Sequence, residues 1–216
     1  MKYSLDETDR NILDKLISEA EEKTNAQIVL ATIRRCHNYT EVPWKAFAIG
    51  SSLSCLLIFI LDLLMFRWIT NTAMLFSVAA ILITGAVFSM LTIFSPRIAG
   101  LFISRSTMET ETYRYAESLF LSRELFATEG RRGILLLVSE FEKQVVILPD
   151  KGAGSCLDEE TLKIIISKMI PDLRKNKISI ALETGLNEIV KSLCPPLPEG
   201  KAINELSNEI IEEEGV

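Results

Sequence analysis

The sequence has few of the side chains that enzymes use for nucleophilic or metal chemistry. It contains one histidine, His37, and four cysteines, and it has no Cys-x5-Arg loop and no Asp-x-Asp motif. A Ser-His-Asp set would have to depend on His37 alone. The net charge is −6, and no basic stripe with interleaved aromatic residues indicates nucleic-acid binding. These absences exclude the common phosphatase motifs and give no sign of a nucleic-acid partner.

The cysteines and the N-terminus both indicate that the chain begins in the cytoplasm. No C-x-x-C pair provides zinc or redox spacing, so we predict that the cysteines are small apolar residues in a reducing compartment. No apolar stretch follows Lys2, and a secretory signal peptide is therefore not expected. The four cysteines are Cys36, Cys55, Cys156 and Cys194.

Two long apolar segments lie in the first half of the chain, within residues 45–97. Between Ala46 and Phe94 the only charged residues are Asp62 and Arg67. Each segment approaches the ~20 residues that a transmembrane helix needs. We predict a helical hairpin in the lipid bilayer, with spans at about 46–66 and 72–94. Asp62 lies about one turn from the outer end, where a carboxylate reaches the headgroups.

The cations that flank the two segments predict their orientation. Six lysines and arginines lie on the domain side, whereas the connecting loop carries one. Cytoplasmic loops are enriched in such cations. We therefore expect a multi-pass protein of the cell (inner) membrane, with the soluble domain and both termini in the cytoplasm. The six are Arg34, Arg35, Lys45, Arg97, Arg105 and Arg114, and the loop residue is Arg67.

Small residues recur four positions apart in both spans. Gly50 and Ser54 lie in the first span, and Gly85 and Ser89 lie in the second. Small residues let transmembrane helices approach closely. The pattern predicts packing within the hairpin, with Ser54 and Gly85 at similar depth, and it also allows a homo-oligomer built from hairpins of several copies.

The soluble halves predict one discontinuous domain formed by residues 1–40 and 105–197. Ser4 and Glu7 form a capping-box pattern before an amphipathic helix. A single strand precedes the hairpin and two follow it, and one strand cannot bury a core alone. The fold class is therefore α/β, a single mixed-sheet α/β sandwich interrupted by the membrane hairpin. Strands are predicted at 26–33, 133–139 and 144–148, and helices at 108–126, 158–169 and 178–193.

A carboxylate-rich loop after the third strand is the candidate metal site. Asp150 is followed by Gly152 and Gly154, and Asp158 opens the next helix. Oxygen ligands of this kind suit Ca²⁺ or Mg²⁺, and glycines leave amides open to an anion. The alternative is an ordinary loop in which Asp150 and Asp158 have local structural roles.

The C-terminal segment, residues 198–216, is strongly acidic and contains six glutamates and one lysine. Ile203, Leu206 and Ile210 recur at helical spacing, so a short amphipathic helix is predicted. Anionic lipid repels such a tail. It should therefore dock on its own domain or bind a partner helix.

The residues around these elements resemble the TPM-domain family. That family takes its name from a thylakoid lumen protein, a photosystem II assembly protein and an acetylcholine-receptor auxiliary protein. Glu21–Val29 is similar to its helix-to-strand opening, and Gly133–Ser139 and Val145–Gly152 are similar to its second block. Gln27 stands where many members carry Glu. Four further positions are similar to the second block, namely Ala116, Phe120, Leu125 and Thr128.

The resemblance implies two functions. Some members are associated with phosphatase activity and others with assembly or upkeep of membrane complexes. The absent catalytic motifs, the hairpin and the charged tail favour one hypothesis, an interaction module that assists other membrane proteins and has no catalytic set of its own. The alternative is a phosphatase-like hydrolase that depends on a divalent metal. A transporter role is disfavoured because two spans with one peripheral acid form no pathway.

Overall fold

The computed structural model describes residues 6–64, 71–193, 210–213 and 215. These residues fall into two units, each described by itself. The sheet unit comprises Met1–His37 and Glu109–Val216, and the hairpin unit comprises Asn38–Met108.

Helix α1 (Glu7–Thr24) begins at a cap that the sequence pattern placed too early. The Asp6 side chain accepts a hydrogen bond from the Glu7 amide, whereas the predicted cap, Ser4, lies outside the described residues. At the other end Asn25 adopts a left-handed conformation with φ 56°. Its amide donates to the Glu21 carbonyl oxygen at 2.8 Å, which turns the chain from α1 into the first strand.

Four described strands form one mixed sheet in the order β3-β2-β1-β4. β1 and β2 pair in parallel, and β2 and β3 form an antiparallel hairpin. Every residue of β1 and of β2 is buried, as expected for strands covered on both faces. The predicted mixed sheet is therefore confirmed. The strands are β1 Gln27–Ile33, β2 Gly133–Ser139, β3 Gln144–Pro149 and β4 Ile211–Glu213.

Helices pack on both faces of this sheet because successive strand residues point to opposite sides. One face carries Ile28, Leu30 and Leu136, which pack with helices α1, α7 (Glu159–Arg174) and α8 (Ile178–Ser192). The other face carries a smaller core under helix α5 (Arg105–Ser122). That second core contains Val29, Ala31, Leu135, Leu137, Ala116 and Leu119.

Helix α5 ends earlier than the sequence pattern predicts. The prediction extended it to Phe126 with Gly130 as the stop, but Glu124 adopts a positive φ of 53°. A non-glycine residue in that conformation interrupts the helix. Leu125–Ala127 and Glu129–Arg131 then form separate 3₁₀ turns that lead into β2.

The hairpin unit contains two long helices that follow each other in the sequence, α2 (Glu41–Leu64) and α3 (Asn71–Phe94). A short helix, α4 (Pro96–Ala99), and a 3₁₀ turn follow. Both long helices are apolar and long enough to cross a membrane. Most of their large apolar side chains are exposed, which distinguishes them from the core helices of a globular domain.

The two long helices contact each other through their glycines. A Cβ atom at Gly50 would lie 2.8 Å from the Phe88 ring. A Cβ atom at Gly85 would clash with Ser51 and lie 2.9 Å from the Phe47 ring. The atoms nearest to this Cβ position belong to Ser51 and Phe47, which precede the expected neighbour Ser54 by about one and two helical turns. Ser54 and Ser89 are half-buried.

The described end of the acidic tail is a strand, so the predicted helix over 198–216 is wrong for Ile211–Glu213. β4 pairs in parallel with Ala31–Ile33 of β1. The Arg34 amide also donates to the Glu213 carbonyl oxygen at 3.1 Å. The exposed edge of β1 supplies backbone partners that a local helical pattern cannot reveal. Residues 194–209, which include Ile203 and Leu206, lie outside the described residues.

Candidate functional site

Three of the polar residues singled out by the sequence, Glu21, Gln27 and Asp150, lie at the end of the sheet where β1 and β2 begin and β3 ends. Gln27 pairs with Gly133 across the parallel strands. On the other side of Gly133, the Asp150 amide donates to its carbonyl oxygen at 2.8 Å. Gln27 and Asp150 therefore lie about two strand spacings apart, or roughly 10 Å. The buried carboxylate of Glu21 lies at the same end, where it accepts from the Ile28 amide at 2.9 Å.

Asp150 is 6% exposed and both of its carboxylate oxygens are engaged. Arg131 donates from Nε to Oδ2 at 3.0 Å and from Nη2 to Oδ1 at 3.1 Å. The Lys151 amide donates to Oδ1 at 2.7 Å. A bidentate arginine contact is strong and directional. Asp150 thus caps the single turn α6 (Lys151–Gly154) and fixes the loop before β2.

The two glycines after Asp150 lie in different surroundings. A Cβ atom at Gly152 would clash with the carbonyl oxygens of Gly130 and Arg131, whereas one at Gly154 would meet nothing within 4 Å. Gly152 is therefore required for close packing of two backbones. The carbonyl oxygens of Gly130 and Arg131 therefore face the α-carbon of Gly152.

Asp158 has a separate, local role. Its Oδ1 accepts from the Thr161 amide at 2.9 Å and caps α7. Hydrogen bonds from the side chain and the amide of Thr161 lower the pKa of the exposed Asp158 carboxyl. Among the residues that the structure describes, no group of three or more His, Cys, Asp or Glu side chains could hold a metal ion.

Burial raises the pKa of the Glu21 carboxyl, and the hydrogen bond from Ile28 opposes that shift. The Glu21 carboxylate satisfies a strand amide on the edge of β1 that β4 does not reach. Sequence analysis placed Glu21 in the family-like segment without a role. Its signal was its position in α1, one residue after the buried Ala20 and on the same helical face as Ile17.

A second buried polar cluster, which sequence analysis missed, joins β1 to the β2–β3 turn. Glu142 is 3% exposed. It accepts from the Cys36 amide at 3.1 Å and from the Ser139 hydroxyl. Burial, with a smaller contribution from Glu142, raises the pKa of the Cys36 thiol to about 11. The thiol is therefore protonated and poorly nucleophilic at neutral pH.

The acidic side chains of β4 meet cations and a phenol on both faces of the sheet. Glu212 forms an ion pair with Arg10 of α1. Glu213 accepts from the Tyr115 hydroxyl of α5 and lies 3.8 Å from Arg123. Burial and then the Glu213 carboxylate raise the pKa of Tyr115.

The cysteines are not all alike, which corrects the prediction of four apolar thiols. Cys36 is a buried free thiol and Cys55 is an exposed one. Cys156 is disulfide-bonded, and its partner lies outside the described residues. Distant spacing along the chain concealed this bond because a disulfide depends on spatial proximity.

Comparison with known proteins agrees with this architecture. The family model of the TPM domain matches residues 97–192, which contain β2, β3 and helices α5 to α8. The fold is similar to the NMR structure of the BA42 protein from the psychrophilic bacterium Bizionia argentinensis sp. nov. The TM-score is 0.56 at 13% sequence identity, over 97% of this chain and 95% of that chain. At that identity the likeness concerns the fold alone. No curated protein matches the sequence. The family resemblance inferred from the sequence is confirmed over residues 97–192, whereas Glu21–Val29 lies outside the matched range.

Proposed function

We propose that this chain, of which residues 97–192 match the family model of the TPM domain, is a membrane-anchored module that assists the assembly of membrane protein complexes. The observation that carries this proposal is the hairpin unit. Helices α2 and α3 have 24 residues each, which gives about 36 Å of helix for a hydrocarbon core of ~30 Å. Their exposed apolar side chains suit lipid and the helices of other membrane proteins as partners.

The polar groups of the sheet unit support a binding role over a catalytic one. Asp150 is held by Arg131, Asp158 caps α7, and Glu21 accepts from a strand amide. Each carboxylate has a structural partner within its own neighbourhood. Because these carboxylates have structural roles, we infer that the sheet unit contributes to a complex by binding a partner protein through its surface.

The second candidate is a phosphatase-like hydrolase that depends on Ca²⁺ or Mg²⁺. The observation that favours it is the common position of Glu21, Gln27 and Asp150 at one end of the sheet. The described donor set does not form a metal site as it stands. Asp150 would first have to exchange Arg131 for the metal, and Asp158 would have to move toward it. The amides of Gly152 and Gly154 would contact the phosphate of the substrate and not the metal. We derive no reaction step from that arrangement.

One experiment separates the two candidates. Membranes of a strain that lacks the chain should lose at least one complex on native gels, and the wild-type chain should restore it. Asp150→Asn should restore that complex equally well, because Asn keeps the helix cap, and Asp158→Asn is the matched control. A deletion that alters no complex contradicts the assembly role.

The hydrolase candidate has its own readout. Purified chain in detergent would be assayed on an aryl phosphate with added Mg²⁺ or Ca²⁺. Activity that Asp150→Asn removes and Asp158→Asn retains would favour the hydrolase, provided that circular dichroism confirms a folded Asn variant. Activity that survives Asp150→Asn would remove the proposed site.

We further propose that the sheet unit lies on the cytoplasmic side of the cell membrane. The cations that flank the two long helices support this orientation. The disulfide at Cys156 speaks against it, because such bonds are rare in the cytoplasm.

A further inference from the structure

The described end of the chain occupies the edge of β1 as an added strand. β4 has three residues and pairs in parallel with Ala31–Ile33. Its strand contacts are extended by the Arg34 amide, which donates to the Glu213 carbonyl oxygen at 3.1 Å. Peptides from other proteins commonly bind an exposed sheet edge in this way, with main-chain hydrogen bonds for affinity and side-chain sites for specificity.

The side-chain sites on the two faces of this edge are charge-complementary to the strand. Glu212 meets Arg10 on the α1 side. Glu213 meets Tyr115 and Arg123 on the α5 side. Because neighbouring strand residues point to opposite faces, two successive acids are recognised by two different helices.

The flanking positions add apolar and steric selection. Ile210 packs against the larger core and Ile211 against the smaller one. Gly215 has φ +76°, and a Cβ atom there would clash with the Arg35 carbonyl oxygen. The edge therefore selects two apolar residues, two acids, one further residue and a glycine.

The contacts that hold the tail are individually weak. The side chains of Arg10 and Glu212 are 44% and 23% exposed, and those of Arg123 and Glu213 are 50% and 41% exposed. Exposed ion pairs contribute about 0–1 kcal/mol each. The three residues of β4 add only a short ladder of main-chain hydrogen bonds to β1. A competing strand of the same chemistry can therefore displace the tail.

We propose that the β1 edge is a recognition groove for an extended acidic segment of a partner protein, and that the chain's own tail occupies it until that partner binds. The partner segment has two apolar residues followed by two acids and, after one more residue, a glycine. This inference deepens the proposed interaction role and names the surface that would carry it. Its test needs no membrane complex, so a failure of the groove proposal can be distinguished from a failure of the assembly role.

The probe is a fluorescent synthetic peptide with the sequence of residues 208–216, titrated against the full chain in detergent micelles. Glu212→Lys combined with Glu213→Lys opens the groove in the chain. We expect this opened variant to bind the peptide at least about tenfold more tightly than the wild-type chain, whose attached tail competes at an effective concentration on the order of millimolar. Gly215→Val opens the groove without a change in charge and should have the same effect.

Charge exchange identifies the contact. Arg10→Glu in the Gly215→Val variant should weaken peptide binding about tenfold, and a peptide with Lys in place of Glu212 should restore it. A peptide of scrambled order is the control. Equal affinity of the wild-type and opened chains, absence of binding to both opened variants, or indifference to Arg10→Glu would overturn the proposal. A wild-type dimer that the opened variants lose would assign the groove to a second copy and also overturn it.

Discussion

Buried carboxylates lie where the backbone of the sheet unit changes direction. Glu21 accepts from the Ile28 amide at the entry to β1, and Glu142 accepts from the Cys36 amide beyond its end. Asp150 accepts from the Lys151 amide after β3. A buried amide without a partner is costly. Each acid therefore supplies the acceptor that a strand terminus or turn would otherwise lack.

Glu21 gives a stability prediction with a defined pH dependence. Its pKa is raised above the ordinary 4.5, so the folded state holds its proton more tightly than the unfolded state. Stability from this group is fully present below pH 4.5 and is lost as pH rises through the folded-state pKa. Glu21→Gln should remove that loss and be at least as stable as wild type at pH 7. The measurement is the free energy of unfolding between pH 4 and pH 8.

Glu21→Ala is the informative contrast. It leaves the Ile28 amide without its acceptor and should be about 1–3 kcal/mol less stable than Glu21→Gln at every pH, since neither variant titrates at this position. If Gln and Ala variants were equally unstable, the hydrogen bond to Ile28 would not be the function of this side chain.

Gly152 and Gly154 provide a matched pair for the loop after β3. Gly152→Ala places a methyl group against the carbonyl oxygens of Gly130 and Arg131. Because those are backbone atoms, we expect a loss of about 1–3 kcal/mol. Gly154→Ala meets open space and should change stability by less than about 1 kcal/mol. Thermal unfolding of both variants tests this difference, and similar losses for the two would contradict the close packing at Gly152.

At the scale of elements, the α2–α3 contact depends on glycine. Gly85→Ala would introduce a clash with Ser51 and press on the Phe47 ring. We expect the variant to unfold at a lower SDS concentration than wild type, since helices in lipid associate through close packing. Gly100→Ala, where a Cβ atom meets nothing within 4 Å, is the control in the same unit. An unchanged midpoint for Gly85→Ala would mean that the helices separate without cost.

Elements with a strong local pattern were predictable from the sequence, and those defined by distant partners were not. The continuous apolar run of β1 predicted a central strand, because alternation is lost when both faces are buried. Ile211–Glu213 is too short and too acidic to resemble a strand, and only the open edge of β1 makes it one. In the candidate site, too, local features were predictable and contacts between distant residues were not. Asp150 was located from its loop, but its contact with Arg131 and the contact of Glu142 with Cys36 depend on the folded chain.

At the scale of the whole molecule, the two long helices lie between two paired strands, and this position limits how many times the connection can cross a membrane. β1 and β2 pair in parallel, so the chain between them is a crossover connection. Helices α2 and α3 lie in that connection. A segment that leaves one strand and returns beside it must begin and end on the same side of the bilayer. Two spans satisfy this requirement, and one span would not.

Two features give opposite predictions for the side of the membrane on which the sheet unit lies. Six flanking cations against one favour the cytoplasm, whereas the disulfide at Cys156 favours an oxidising compartment. In the orientation that we propose, the cations direct insertion as the chain enters the membrane, before any disulfide forms. We therefore expect Cys156 to be a free thiol in living cells and to become oxidised after lysis.

Thiol trapping before lysis tests this order of events. A permeant maleimide should label Cys156 in intact cells and an impermeant one should not, while lysis in air without trapping should yield the disulfide. Cys55→Ser removes the exposed second thiol, and the buried Cys36 should react only after denaturation. If Cys156 were already oxidised in intact cells, or if external protease removed the acidic tail, the sheet unit would lie outside the cytoplasm. The hairpin would then be inserted against its cation bias, and the proposed partners of the sheet unit would have to be sought on the other side of the membrane.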